Sequence, residues 1–187
     1  MIIIPTIFSL LRIILTPIFI MLFWQGGSSL ALAIVIFTIA ALTDTCDGYF
    51  ARKYNVVSVG GIFLDPIADK ILIGSTFICF VLKHIIPWWL VVVIMGRDII
   101  VTMLRLYALF KGKILPTTLH AKVKTVIQFF AIYLTFFWLL EQDCSLLSLD
   151  YDETLVVVRL VMYAMTLVTV YTGIEYVVAY RKLMRQK

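Results

Sequence analysis

The chain has 187 residues, 63% of them hydrophobic and 14% charged, with a formal net charge of +5 and a mean hydropathy of +1.05. A soluble domain is nearer half apolar, so this composition excludes an ordinary soluble globular protein and predicts an integral membrane protein with several spans. The length fits a single domain, residues 1–187, and Cys46, Cys79 and Cys144 are too scattered for a metal-ligand spacing or a disulfide framework.

Six apolar stretches predict an all-α, polytopic fold with six transmembrane helices, each approaching the ~20 residues that cross a hydrocarbon core. The first, Ile7 to Phe23, has no basic residue before Arg12, and a second span follows almost at once. It therefore reads as a retained helix rather than a cleaved leader. Trp24 to Ser29, with Gly26 and Gly27, reads as a short uncharged turn. Leu30 to Asp44 forms the second span and runs into an acidic motif. Gly48 to Gly61 is expected to be a connector carrying Arg52 and Lys53. Ile62 to Leu82 forms the third span, with Pro66 near its start, where proline is tolerated. After the short connector Lys83 to Pro87, Trp88 and Trp89 read as an interfacial anchor. The fourth span is Trp88 to Phe110, and the connector Lys111 to Lys124 holds four lysines. Val123 to Leu140 is the fifth, Glu141 to Glu153 carries five acids and no base, and Leu155 to Val178 is the sixth. Arg159 is expected to snorkel at the outer end of that last span.

The charges orient these spans. Arg52, Lys53, Lys111, Lys113, Lys122, Lys124, Arg181, Lys182, Arg185 and Lys187 all fall on one side, and Lys83 is the only Lys or Arg in the opposite loops. The positive-inside rule then places both termini and the acidic motif on the cytoplasmic side. For Lys111 and Lys113, contact with anionic lipid is the expected role. This topology explains the basic surface without nucleic acid, and no P-loop or dinucleotide fingerprint is present. His84 and His120 sit apart in connectors and predict no metal site.

Four carboxylates stand out against this apolar background. Asp44 and Asp47 are three apart, and Asp65 and Asp69 are four apart, so each pair shares a helical face. Brought together across an antiparallel helix pair, they would repel one another and be costly to desolvate. Divalent cations relieve both costs, and an oxygen-only set suits Mg²⁺ or Mn²⁺, whereas zinc usually recruits His or Cys. Two such ions could clamp a phosphoryl group and its departing oxygen. Gly48, Gly61 and the small Ala51 would let a nucleotide or phosphate approach the backbone, and Arg52 could pair with a phosphate. A polar packing cluster, or a path for ion or solute transport, is also compatible with these acids.

The segment reads D-x-x-D-G-x-x-A-R, then eight residues, then G-x-x-x-D-x-x-x-D. It resembles the signature of the CDP-alcohol phosphatidyltransferase family at Asp44, Asp47, Gly48, Ala51, Arg52, Gly61, Asp65 and Asp69. The resemblance implies two divalent ions, Mg²⁺ or Mn²⁺, held by Asp44, Asp47 and Asp65, with Asp69 completing the set. It implies that Gly48, Ala51, Arg52 and Gly61 line the cytidine diphosphate headgroup in a cytoplasm-facing polar cavity. Asp69 would then take the proton of an attacking hydroxyl while CMP leaves a CDP-linked lipid. A homodimer in a bacterial inner membrane is the accompanying expectation.

Two further segments, GRDIIVTMLRLYA and HAKVKTVIQ, resemble the bacterial branch of the family whose acceptor is sn-glycerol 3-phosphate. The matching residues are Arg97, Asp98, Arg105, Lys122, Lys124, Thr125 and Gln128. The resemblance implies CDP-diacylglycerol and glycerol 3-phosphate as substrates, membrane lipids as surroundings, and phosphatidylglycerophosphate as product. Arg105, Lys122 and Lys124 would surround a dianionic phosphate, and Arg97, lying deeper, needs Asp98 or that phosphate as a partner. Ala121 stands where this branch has glycine, and Thr6 where it commonly has asparagine. Inositol phosphate or another alcohol is the same-family alternative acceptor, and metal or solute transport the alternative of another class.

Overall fold

The computed structural model describes the backbone of residues 4–54, 59–113, 119–144 and 151–185, and the side chains of residues 9–43, 67–113, 122–143 and 151–185. The described chain is all-helical, with six helices: α1 Ile4–Gln25, α2 Ser28–Tyr54, α3 Val59–Leu82, α4 Trp88–Phe110, α5 Leu119–Cys144 and α6 Tyr151–Arg185. Two of them are long and apolar enough to cross a membrane over Lys122–Asp143 and Tyr151–Arg185. At about 1.5 Å per residue, the 35 residues of α6 extend about 52 Å, well beyond a ~30 Å hydrocarbon core.

Burial departs from that of a soluble protein in what lies outside and in the charges that lie inside. Large apolar side chains such as Met21, Val126, Phe130, Leu167 and Ile174 point outward, while Arg12, Lys124, Gln128 and Glu141 are buried. In water, charged residues are almost never fully buried unless paired, and extended apolar surface is not left exposed. In lipid the apolar residues belong outside and the polar ones inside.

The chain divides into two compact units, Met1–Leu82 with Leu140–Leu146, and Lys83–Leu139 with Leu147–Lys187. The first is built on α1, α2 and α3, and its core is aromatic. The rings of Phe19 and Phe37 lie 5.7 Å apart, and those of Phe23 and Phe80 lie 6.2 Å apart, so α1 touches both neighbours. The turn into α2 needs its glycines, because Gly26 and Gly27 take φ of 67° and 55°. Asp143 accepts a hydrogen bond from the Gly27 N–H at 2.8 Å and so satisfies a donor at the α2 start. In the second unit α4 and α6 pack along Val101, Ala108 and Tyr176. Trp138 of α5 donates to the Thr154 hydroxyl of α6 at 3.0 Å.

Four expectations need correction. The connector expected from Gly48 to Gly61 is mostly helix, since α2 runs to Tyr54 and α3 begins at Val59. Continuing the helices satisfies backbone groups that an open loop near a membrane would leave unpaired. Pro66 therefore lies in the second turn of α3 rather than near its start. Likewise His120, Lys122 and Lys124 are helical, because α5 begins at Leu119. Arg159 does not simply reach outward. It donates to the carbonyls of Ile85 at 2.9 Å and His84 at 3.1 Å, tying α6 to the connector before α4. That connector holds His84 at φ 57°, and Trp89 stacks on Tyr163 with centroids 5.9 Å apart.

Candidate active site

The aspartates lie on two helices of one unit. Asp44 and Asp47 fall within α2, together with Gly48, Ala51 and Arg52; Gly61, Asp65 and Asp69 fall within α3. Unbroken helix through both stretches keeps each carboxylate pair at one-turn spacing. The side chains of Asp44, Asp47, Gly48, Ala51, Arg52, Gly61 and Asp65 lie outside the described residues. Asp69 is half-buried beside the fully buried Ala68. Four carboxylates carried by two consecutive helices offer only oxygen donors, a chemistry that suits Mg²⁺ or Mn²⁺.

Helix α1 brings a cation to the same part of this unit. Arg12 is fully buried, and its Nε donates to the Ala40 carbonyl at 3.3 Å, one turn before Asp44. The Thr43 hydroxyl donates to the same carbonyl at 2.7 Å, and the Thr16 hydroxyl to the Arg12 carbonyl at 2.8 Å. Arg12 is thus buried in the packing of α1 against α2.

The second unit holds a basic network drawn from three helices. Asp98 of α4 accepts from Arg97 Nη1 at 2.9 Å and from Lys124 Nζ of α5 at 2.9 and 2.7 Å. Lys124 also donates to Gln128 Oε1 at 2.6 Å. Arg97 Nη2 donates to the Thr172 hydroxyl of α6 at 2.9 Å. Arg105, two helical turns beyond Arg97, donates through Nη2 to the Tyr176 hydroxyl. Both guanidinium groups lie over the Tyr176 ring, at 5.0 Å for Arg105 and 5.7 Å for Arg97. The expected Arg97–Asp98 pair is therefore present, and Lys124 is 4% exposed.

This network has more donors than acceptors. Arg97 Nε, Arg105 Nε and Gln128 Nε2 are buried without a hydrogen-bond partner among the described residues. Among the described residues, Arg97 and Lys124 share the Asp98 carboxylate, and Arg105 donates to the neutral Tyr176 hydroxyl. An anion with several acceptor oxygens would satisfy such donors. Lys122 is exposed, two residues before Lys124 and so on another face of α5. Sequence reasoning missed Thr172 and Tyr176. Their only signal is a pair of polar positions four apart within an apolar helix.

Residues 2–180 match the model of the CDP-alcohol phosphatidyltransferase family, and the chain belongs to that family. Among its relatives is a probable phosphatidylglycerophosphate synthase of Mycobacterium tuberculosis, 39% identical over 91% of this chain and 78% of the relative. A Bacillus subtilis protein named CDP-diacylglycerol–glycerol-3-phosphate 3-phosphatidyltransferase is 38% identical over 68% of this chain and 73% of its own. One of the same name from Rickettsia felis is 32% identical over 95% of both chains.

Proposed function

We propose that this chain is a membrane-embedded CDP-diacylglycerol–glycerol-3-phosphate 3-phosphatidyltransferase, with residues 1–187 acting as one catalytic domain. The observation that carries the acceptor is the network on α4, α5 and α6, which gathers Arg97, Arg105 and Lys124 and holds three buried donors without an acceptor among the described residues. A phosphomonoester near neutral pH carries close to two negative charges and several acceptor oxygens. The names of the relatives point to the same acceptor. In this reading Arg97, Arg105 and Lys124 hold the acceptor phosphate, and the exposed Lys122, on another face of α5, adds positive charge that draws the anion in.

The carboxylates of Asp44, Asp47, Asp65 and Asp69 would hold two divalent ions, Mg²⁺ or Mn²⁺. When bound, these ions would neutralise the diphosphate and the departing CMP. Gly48, Ala51 and Gly61 leave room for the nucleotide, and Arg52 pairs with its phosphate. The acceptor hydroxyl gives its proton to Asp69 as its oxygen bonds to the lipid-bearing phosphorus. The bond from that phosphorus to CMP breaks, CMP leaves, and phosphatidylglycerophosphate remains in the membrane.

The reading includes six spans with both termini and a polar site cavity facing the cytoplasm of a bacterial cell membrane, and a homodimer. The apolar outer surface, the buried polar residues and the one-sided Lys/Arg distribution support the spans and their orientation. Purified protein in lipid nanodiscs, given divalent metal, CDP-diacylglycerol and glycerol 3-phosphate, should release CMP. Turnover with inositol phosphate but none with glycerol 3-phosphate would select the other acceptor. Metal or solute flux without CMP release would replace the transferase reading altogether.

A further inference from the structure

Helix α6 carries no residue of the aspartate signature, yet one of its faces shapes the basic network. Thr172, Gly173 and Tyr176 are all buried, and all meet the arginines of α4. An arginine side chain has many rotamers, and two guanidinium groups left to themselves would repel and splay. Tyr176 opposes this in two ways. Its ring presents an electron-rich face to both cations, and its hydroxyl accepts from Arg105. Thr172, one turn away, holds the same Arg97 guanidinium through a 2.9 Å hydrogen bond from Nη2.

Gly173 completes the face. A Cβ placed there would lie 2.8 Å from Arg97 Cγ, close to the root of that side chain rather than its mobile end. Only a bare α-carbon lets the Arg97 stem cross α6 at this height. The outcome is two guanidinium groups oriented by one ring, each with a buried Nε that lacks a partner among the described residues.

Resting on the reading of this network as the acceptor-phosphate subsite, we propose that Tyr176 is a positioning residue for acceptor specificity. It holds Arg97 and Arg105 as a preformed fork for a dianionic phosphomonoester, with Thr172 and Gly173 setting the approach of Arg97. Preformation matters because an anion that had to gather two free arginines would lose affinity to the entropy of ordering them.

Two readouts test this on the full-length protein in nanodiscs. The first is thermal stabilisation by glycerol 3-phosphate without CDP-diacylglycerol; the second is steady-state CMP release. Y176F keeps the ring and removes the hydroxyl, and should raise KM for glycerol 3-phosphate about tenfold, with a much smaller change in kcat and in KM for CDP-diacylglycerol. Y176L removes both contacts and should raise it about a hundredfold. T172V should raise it about fivefold, and T172S should restore it. If Y176L fails to fold, Y176F and the Thr172 pair decide alone. An unchanged acceptor KM in Y176F, or equal rises for both substrates, overturns the assignment. Wild-type protein stabilised by glycerol 3-phosphate but releasing no CMP with it would overturn the proposed function alone, provided Y176F weakens the stabilisation. Wild-type turnover with glycerol 3-phosphate alongside an unaltered Y176F would overturn the role of Tyr176 alone. Neither stabilisation nor turnover in the wild type would overturn both.

Discussion

The acidic helices α2 and α3 and the basic network of α4, α5 and α6 concentrate charge in opposite ways. The acids come four together from two consecutive helices, at one-turn spacings, with little sequence between them. The bases come singly from separate helices, and their contacts span as many as 75 residues of chain, as from Arg97 to Thr172. The basic network also carries its own partial neutralisation in Asp98 and its own scaffold in Gln128, Thr172 and Tyr176. A cluster of like charges of local origin can be recognised by spacing. One assembled from distant helices must be built by packing, and its supporting residues look like ordinary span residues until they touch.

Substitutions can break this contrast at several strengths. The largest loss belongs to the acids: Asp65→Asn or Asp69→Asn should lower CMP release by about a thousandfold or more, and chelation of divalent metal should do the same reversibly. Near-normal turnover in either variant would remove the aspartates from the reaction. Next comes Asp98→Ala, which leaves Lys124 and Arg97 without their counter-charge. Stability should fall by about 3–5 kcal/mol, read as a lower denaturation midpoint.

The two lysines of α5 sharpen the comparison further. Lys124→Ala should weaken acceptor use about a hundredfold, whereas Lys122→Ala, at an exposed position, should change it about threefold or less. Equal effects would show that burial within the network is not what sets acceptor binding. Arg159→Ala should cost about 1–3 kcal/mol through the two connector carbonyls it leaves unsatisfied, with acceptor KM unchanged. The smallest effect is that of Asp143→Ala. Loss of its bond to the Gly27 N–H should cost about 1 kcal/mol, seen as faster amide exchange at the α2 start with turnover intact.

Much of the fold was legible because lipid imposes simple requirements on sequence. Long apolar runs read as helices, and each observed helix overlaps one of the six expected stretches. Their ends were not legible. Tyr49 to Tyr54 and Leu119 to Lys124 are polar enough to read as connectors, but helical hydrogen bonding satisfies their backbone better than a loop would. Arg97 with Asp98 could be anticipated because a buried guanidinium needs an adjacent acid. Arg159 could not, because its acceptors are main-chain carbonyls 74 and 75 residues away, and a carbonyl has no letter in a sequence.

By itself the sequence determined the helical class, the family and the acids of the signature. The helical class follows from hydrophobicity and the pairing of the acids from their spacing, both properties of neighbouring residues, and the family from the resemblance of the whole segment to a known signature. Only the tertiary structure decided which basic residues come together. It joined Lys124 to Asp98 and Gln128 while leaving Lys122 exposed, and it set both arginines over Tyr176. That choice depends on helix rotation and on which side chains can cross a glycine, and these are fixed when helices distant in sequence pack against one another.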